Sequence, residues 1–312
     1  MNNILPKENF LVLGTALWGW GVDKKTAFDL IEKFILHNGK YIDTASNYPI
    51  NKDPACFGVA SKWISEWIKG NKGSGLKILH KLGSVDNLGS PNTKLDSKTI
   101  LEQVDAYTEL YQASLHGVGI HWDNRDETDI ESIEDTLRSF KQLSQSGFTI
   151  GLSGIKNPSL YHRLAPELSH LWWIQVKENA QTHTARLNYF SSFPDATYVA
   201  YGINMGGIKN APPAEASSVS LRGISIDQSL LERLNNALSF CSSRSPYPQT
   251  FNDLALLMTF LNRNIHGVII GPRDLNQLNT TMTFWNKIST CLSEEEKNIL
   301  TEAIDKIKLK AV

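Results

Sequence analysis

Tyr41-Ile-Asp43-Thr-Ala-Ser-Asn-Tyr48 is a short apolar strand that ends on a carboxylate, followed by a loop that carries a phenol. The pattern recurs further along. Ile78-Leu-His-Lys81 is an apolar run that closes on a lysine, and Gly117-Val-Gly-Ile-His121-Trp closes on a histidine. Working outward from these three, strand-like runs occupy Phe10–Gly14, Tyr41–Asp43, Leu76–Lys81, Gly117–His121, Thr149–Leu152, Trp172–Val176, Thr197–Tyr201 and Gly267–Ile270. Amphipathic stretches separate them. Asp23–Leu36 sets Ala27, Leu30, Ile31, Phe34 and Ile35 on one helical face behind a capping Asp23. Similar helices fit 55–69, 98–114, 128–146, 157–166, 228–242, 249–263 and 273–287, and Ser293-x-x-Glu296 opens a last one as a capping box. Strands that alternate with helices make a parallel sheet, and eight of them predict a closed (β/α)8 TIM barrel, an α/β fold, as one domain over 1–312. An open doubly wound sheet is the rival. No Gly-x-Gly-x-x-Gly follows the first strand, and Gly14-Thr15 and Gly19-Trp20-Gly21 do not fit that spacing.

One interval breaks the rhythm. After Tyr201 the chain runs through Gly206-Gly207 and Pro212-Pro213 with no element evident before about Ile226, which predicts a long loop over about 203–225. Length and composition add bounds. The chain has 312 residues, 41% hydrophobic and 20% charged, with net charge -1. That balance gives no electrostatic case for nucleic acid or an anionic membrane surface. Three cysteines (Cys56, Cys241, Cys291) lack metal or redox spacing, and the eight histidines show no ligand spacing, so no metal is expected. No window is apolar enough to span a membrane, and no basic region followed by a long apolar stretch opens the chain. A reducing cytoplasm is the expected compartment. The oligomeric state is not legible.

In a barrel the reactive groups gather at the C-terminal ends of the strands. Asp43, Lys81 and His121 end strands two, three and four, and Tyr48 lies in the loop above. Each has a plainer reading alone: a turn former, a solvated strand end, a structural histidine, a packing aromatic. Together they make a proton-donor site. A phenol is a poor acid near neutrality, with a free pKa of about 10. A nearby ammonium favours the phenolate and lowers that pKa, and an aspartate keeps the ammonium charged. Trp18, Trp20 and Trp122, following strands one and four, could ring the mouth of a pocket whose aromatic walls suit a small organic molecule. Arg125 could meet an anionic substrate, although Asp123 and Asp126 beside it argue otherwise.

These residues resemble the aldo-keto reductases. The likeness is carried by Leu13-Gly14-Thr15, Asp43-Thr-Ala-x-x-Tyr48, Lys81, Ile120-His121-Trp122-Asp123, Ile150-Gly-Leu-Ser153, Gln175, Val199-Ala-Tyr201 and Val268-Ile-Ile-Gly271-Pro-Arg273 followed by Gln277. The resemblance implies reduction of an aldehyde or ketone with NADPH, without metal. It implies Tyr48 as proton donor, Lys81 paired with Asp43 as the tuning cation, and His121 as the group that orients the carbonyl. It implies Ser153 and Gln175 on the nicotinamide carboxamide and Tyr201 stacked on its ring. It implies Gly14, Thr15, Gly202, Gly206 and Gly271 as further cofactor contacts, with Gly206 and Gly207 permitting the close backbone approach a diphosphate needs, and Arg273 with Gln277 at the adenosine 2′-phosphate. The chain departs from the family at Gly154, where Asn is usual, and at Thr280 and Thr281, where Glu and Asn usually meet adenine. The alternative from another class is a non-catalytic NADP(H)-binding barrel that serves as a redox sensor or partner-binding subunit. A biosynthetic role on a modified sugar is a third possibility.

Overall fold

The computed structural model describes residues 5–7, 9–182, 185–208 and 228–308. Eight strands form a closed parallel barrel in chain order: β1 (Phe10–Gly14), β2 (Tyr41–Ala45), β3 (Lys77–Leu82), β4 (Leu115–Ile120), β5 (Thr149–Ser153), β6 (Trp172–Lys177), β7 (Thr197–Tyr201) and β8 (Gly267–Ile270). β8 returns to β1 through the register Leu11↔Val268 and Val12↔Ile269, which closes the sheet. All eight expected strands are present. β2 runs two residues past its expected end because Thr44 and Ala45 still pair with His80 and Lys81.

The described helices on the outside are α1 (Lys24–Leu36), α2 (Val59–Gly70), α3 (Ser97–Tyr111), α4 (Ile130–Gln145), α5 (Pro158–Leu164), α6 (Ala185–Phe190), α7 (Gln228–Ser242), α8 (Phe251–Phe260), α9 (Leu275–Cys291) and α10 (Glu294–Lys308). α1 buries Ala27, Leu30, Ile31 and Phe34 against the barrel, and Asp23 accepts from Thr26 N–H at 2.8 Å. Such a cap contributes about 1 kcal/mol. The capping box of α10 forms as expected: Ser293 Oγ accepts from Glu296 N–H, and Glu296 Oε2 accepts from Ser293 N–H. α2 starts later than the apolar spacing suggested, because Pro54–Cys56 form a 3-10 turn and Gly58 sits at φ 76°. α3 stops at Tyr111, where Gln112 turns left-handed at φ 53°. α6 was not expected; six residues are too short to show a helical period.

Two apolar bodies hold the fold. One fills the barrel, with Leu5, Val12, Tyr41, Leu79, Trp173 and Val199. Its centre depends on glycine: a Cβ at Gly151 would lie 2.1 Å from the Trp173 ring. The second lies between strands and helices. That layer also hides a polar cluster behind β3. His80 is fully buried, its Nε2 3.2 Å from Ser46 Oγ and its Nδ1 3.3 Å from the Tyr111 hydroxyl. The Tyr107 ring packs against it, tilted by 33° with centroids 3.7 Å apart, and its hydroxyl donates to Ser46. Burial, and then the Lys81 charge, hold the His80 pKa well below the usual value. The unfolded chain takes up that proton near pH 6.5, whereas the folded one resists it. Stability is therefore complete above that pH and falls as pH drops below it, with a slope approaching about 1.4 kcal/mol per pH unit for this one group. Urea midpoints at pH 7 and 5 are expected to differ less in His80→Gln than in the parent. Equal differences would count against this assignment.

Of the expected loop over about 203–225, residues 203–208 form a turn with Met205, Gly206 and Gly207 at φ 50°, 81° and 94°. The remainder lies outside the described residues.

Candidate active site

The C-terminal ends of the strands open into a cavity of about 1420 Å³. Asp43 lines it, and Lys81 lies against Asp43 on the neighbouring strand, the two 2% and 1% exposed. The Lys81 ammonium donates to both carboxylate oxygens of Asp43, at 2.5 and 2.6 Å. Two charges taken out of water cost several kcal/mol each, and only close geometry with further hydrogen bonds offsets that. Gln175, across the barrel on β6, provides one by donating Nε2 to Asp43 Oδ1 at 2.5 Å. Burial draws the Lys81 pKa below the ordinary lysine value, opposed by the Asp43 carboxylate.

Tyr48 stands over this pair. Its ring centroid is 5.1 Å from Lys81 Nζ, and the His121 ring meets it edge-on at 5.5 Å. Its backbone N–H donates to Ala45 O, and the loop beyond is clamped by Asn87. The Asn87 amide donates to Pro49 O, Asn51 Oδ1 and Asp53 O. His121 follows β4 directly, and its N–H donates to Leu82 O of β3. Burial, then the nearby Lys81 charge, hold its imidazole pKa well below the usual value, so the ring is neutral at pH 7. Its Nδ1 faces Ser84 Oγ at 3.1 Å.

The expected cluster of Asp43, Tyr48, Lys81 and His121 is thus gathered at one end of the barrel. The three tryptophans part company. Trp122 lines the cavity beside His121, tied by its Nε1 to Pro91 O. Trp18 is 1% exposed and packs in the apolar layer outside the cavity lining, because the turn that pairs it with Val22 folds it inward. Trp20 is also absent from the lining. Leu17 and Ile50 line the cavity with Trp122 instead. Arg125 does not face a substrate: its guanidinium grips Asp123 and bonds to Ser132 and Thr136, while Tyr161 donates to the same carboxylate. This knot fixes the loop that carries Trp122.

The remaining expected residues lie along the cavity from Gly14, Thr15, Ser153, Gln175, Tyr201, Gly202 and Gly206 to Gly271, Arg273 and Gln277. Some have structural duties too. Thr15 is fully buried and donates to Asp43 O, and a Cβ at Gly14 would meet Ile269 at 2.7 Å. Gly154 sits at φ 57°, the left-handed region that Gly and Asn adopt most readily, and a Cβ there would crowd Trp122 at 3.1 Å. At the far end Asp274 caps α9 by accepting from Gln277 N–H, and the Gln277 side chain accepts from Arg273 N–H. The α9 N-terminus is therefore already capped by the Asp274 carboxylate, and Arg273 supplies the positive charge beside it. Thr280 donates back to its own helix at Asn276 O. Sequence reasoning missed Ser84, Asn87, Leu17 and Ile50; all lie in loops whose reach depends on backbone geometry.

Residues 10–182, more than half of the 312, match the model of the aldo/keto reductase family. The chain belongs to that family. It is thereby an oxidoreductase of the kind that reduces small-molecule carbonyls with a nicotinamide cofactor. No curated protein matches it significantly. Among solved structures, the aldo-keto reductase AKR11C1 from Bacillus halodurans in its holo form is similar with TM-score 0.69 and 18% identity, over 97% of this chain and 92% of that one. The glycerol dehydrogenase AKR11B4 from Gluconobacter oxydans is similar with TM-score 0.73 and 17% identity, over 97% of this chain and 93% of that one. At such identities the likeness concerns the barrel. No described helix of this reductase is long and apolar enough to cross a membrane.

Proposed function

We propose that this reductase reduces an aldehyde or ketone with NADPH, using Tyr48 as proton donor. The observation that carries the reading is the buried Asp43–Lys81 pair beneath Tyr48, with a neutral His121 at the ring's edge. A buried ammonium next to a phenol favours its ionised form, so the phenol becomes a better acid at neutral pH. Asp43, held in turn by Gln175, keeps Lys81 in place and charged. His121 orients the carbonyl by a hydrogen bond. Leu17, Ile50 and Trp122 form an apolar wall that excludes water, which suits an uncharged carbonyl with an apolar flank.

The residues present fit a phosphate-bearing dinucleotide. The cavity runs continuously from Tyr48 to Arg273; among the described residues, Arg273 Nε is buried without a hydrogen-bond partner and a Cβ built on Gly271 meets no atom within 4 Å. When bound, the nicotinamide supplies the hydride. Ser153 and Gln175 would hold its carboxamide. Because Gln175 spends its amide nitrogen on Asp43, its oxygen is the group left to accept from that carboxamide. Tyr201, 36% exposed at the end of β7, would stack on the ring, with Gly14, Thr15, Gly202, Gly206 and Gly271 allowing close approach. Arg273 would meet the 2′-phosphate, and Gln277 braces its loop.

Arg273 supports a preference for NADPH over NADH, since charge-assisted bonds to phosphate are the strong kind. Arg273→Ala is expected to weaken NADPH about 10- to 100-fold and NADH far less. Fluorescence titration with both cofactors, followed by a carbonyl panel, tests the function and the preference together. Equal loss for both cofactors would make Arg273 structural. Tight NADPH binding without turnover on any carbonyl would favour the sensor reading.

A further inference from the structure

A neutral imidazole carries one ring proton, so one nitrogen donates and the other accepts. The bond made at one nitrogen decides which of the two keeps the proton. For His121 that bond is made at Nδ1, 3.1 Å from Ser84 Oγ. Ser84 is 5% exposed and its backbone is fixed from several sides. It bridges to Thr93, and the preceding Gly83 carbonyl accepts from Lys94 N–H at 2.9 Å. Gly83 turns at φ 97°, and a Cβ on it would lie 2.5 Å from Leu95. The turn that aims Ser84 at the ring therefore requires glycine. From the other strand, the bond from His121 N–H to Leu82 O sets the height of the ring.

We propose that Ser84 is a positioning residue that donates its hydroxyl proton to Nδ1 of His121, so that Nε2 keeps the ring proton and offers an N–H to the cavity. The inference deepens the function proposed above and rests on the orienting role of His121. A serine hydroxyl can donate or accept, and what His121 must do selects the direction. A carbonyl oxygen needs a donor. If Nδ1–H donated to Ser84 instead, Nε2 would be an acceptor. It would repel the carbonyl oxygen and compete for the hydroxyl proton of Tyr48, whose ring stands 5.5 Å away. No proton passes through Ser84; it fixes a tautomer.

The test reads the ring directly. Long-range proton–nitrogen correlation spectra of 15N-labelled protein distinguish the two tautomers, and His121→Gln identifies the His121 signals. The parent is expected to show Nε2–H. Ser84→Ala is expected to show Nδ1–H or a mixture, with kcat lowered about tenfold and NADPH affinity unchanged, the size of one lost neutral hydrogen bond. Ser84→Thr keeps the hydroxyl and is expected to restore both tautomer and rate. Nδ1–H in the parent overturns the proposal, as does an unchanged His121 pattern in Ser84→Ala. A changed pattern at the parent rate overturns the link to turnover. The spectra need no substrate, so failure of all variants to reduce a carbonyl would count against the function while the ring assignment is still decided.

Discussion

Tyr48→Phe is expected to lower kcat by about 100-fold or more while NADPH affinity stays within about twofold. The substitution removes one oxygen and keeps the ring, so the contacts with Lys81 and His121 that depend on the ring survive. Positioned proton transfer is worth roughly 10²–10⁴-fold, and an interaction made only in the transition state appears in kcat rather than in cofactor binding. Single-turnover reduction of a good substrate, beside a cofactor titration, separates the two quantities. A Phe variant that works at the parent rate would remove Tyr48 as the acid.

Lys81→Met is expected to act on both activity and stability. Without the ammonium, the phenol loses the charge that favours its ionised form, and the alkaline limb of the pH–rate profile moves to higher pH over a lower plateau. The same change strands the Asp43 carboxylate in a site 2% exposed, where Gln175 still donates to it. Breaking a buried pair from one side costs about 3–5 kcal/mol. Adding Asp43→Asn removes the stranded charge, so the double variant is expected to regain most of that stability and none of the activity. Asp43→Asn alone is expected to lower kcat less than Lys81→Met. Denaturant midpoints and pH–rate profiles of the three variants provide the check. A double variant with both stability and rate restored would show that the pair only supports the barrel.

The barrel was legible because its strands are short, buried on both faces and separated, except between β6 and β7, by stretches that fit an amphipathic helical period. Asp43, Lys81 and His121 stood out for the same reason: a polar residue at the close of an apolar run is conspicuous. What escaped reading depends on distances the sequence does not encode. Ser84 and His121 are 37 positions apart and meet only through the β3–β4 register. Gln175 and Asp43 are 132 apart and meet across the barrel. Trp18 looked like a mouth residue by its place after β1, and only the local turn folds it away. Asp123 and Asp126 already argued against a free Arg125, and in the fold Asp123 and two residues of α4 hold its guanidinium.

The bond from Gln175 to Asp43 has a consequence for how such a protein can be altered. It ties β6 to β2 across the mouth, and Lys81 adds β3, so the acid machinery is braced by strands. The cavity-lining groups proposed to border a substrate, Trp122, Leu17 and Ile50, ride on connecting loops. Recognition and reactivity are thus separable modules. Exchanging the segment between β4 and α4 is expected to transplant a preference from one barrel to another while leaving the braced centre intact, provided the new segment keeps Asp123 and Arg125, whose partners Thr136 on α4 and Tyr161 on α5 stay behind. A graft that split that knot would strand a buried carboxylate, and the new loop would lose its footing before its selectivity could be measured.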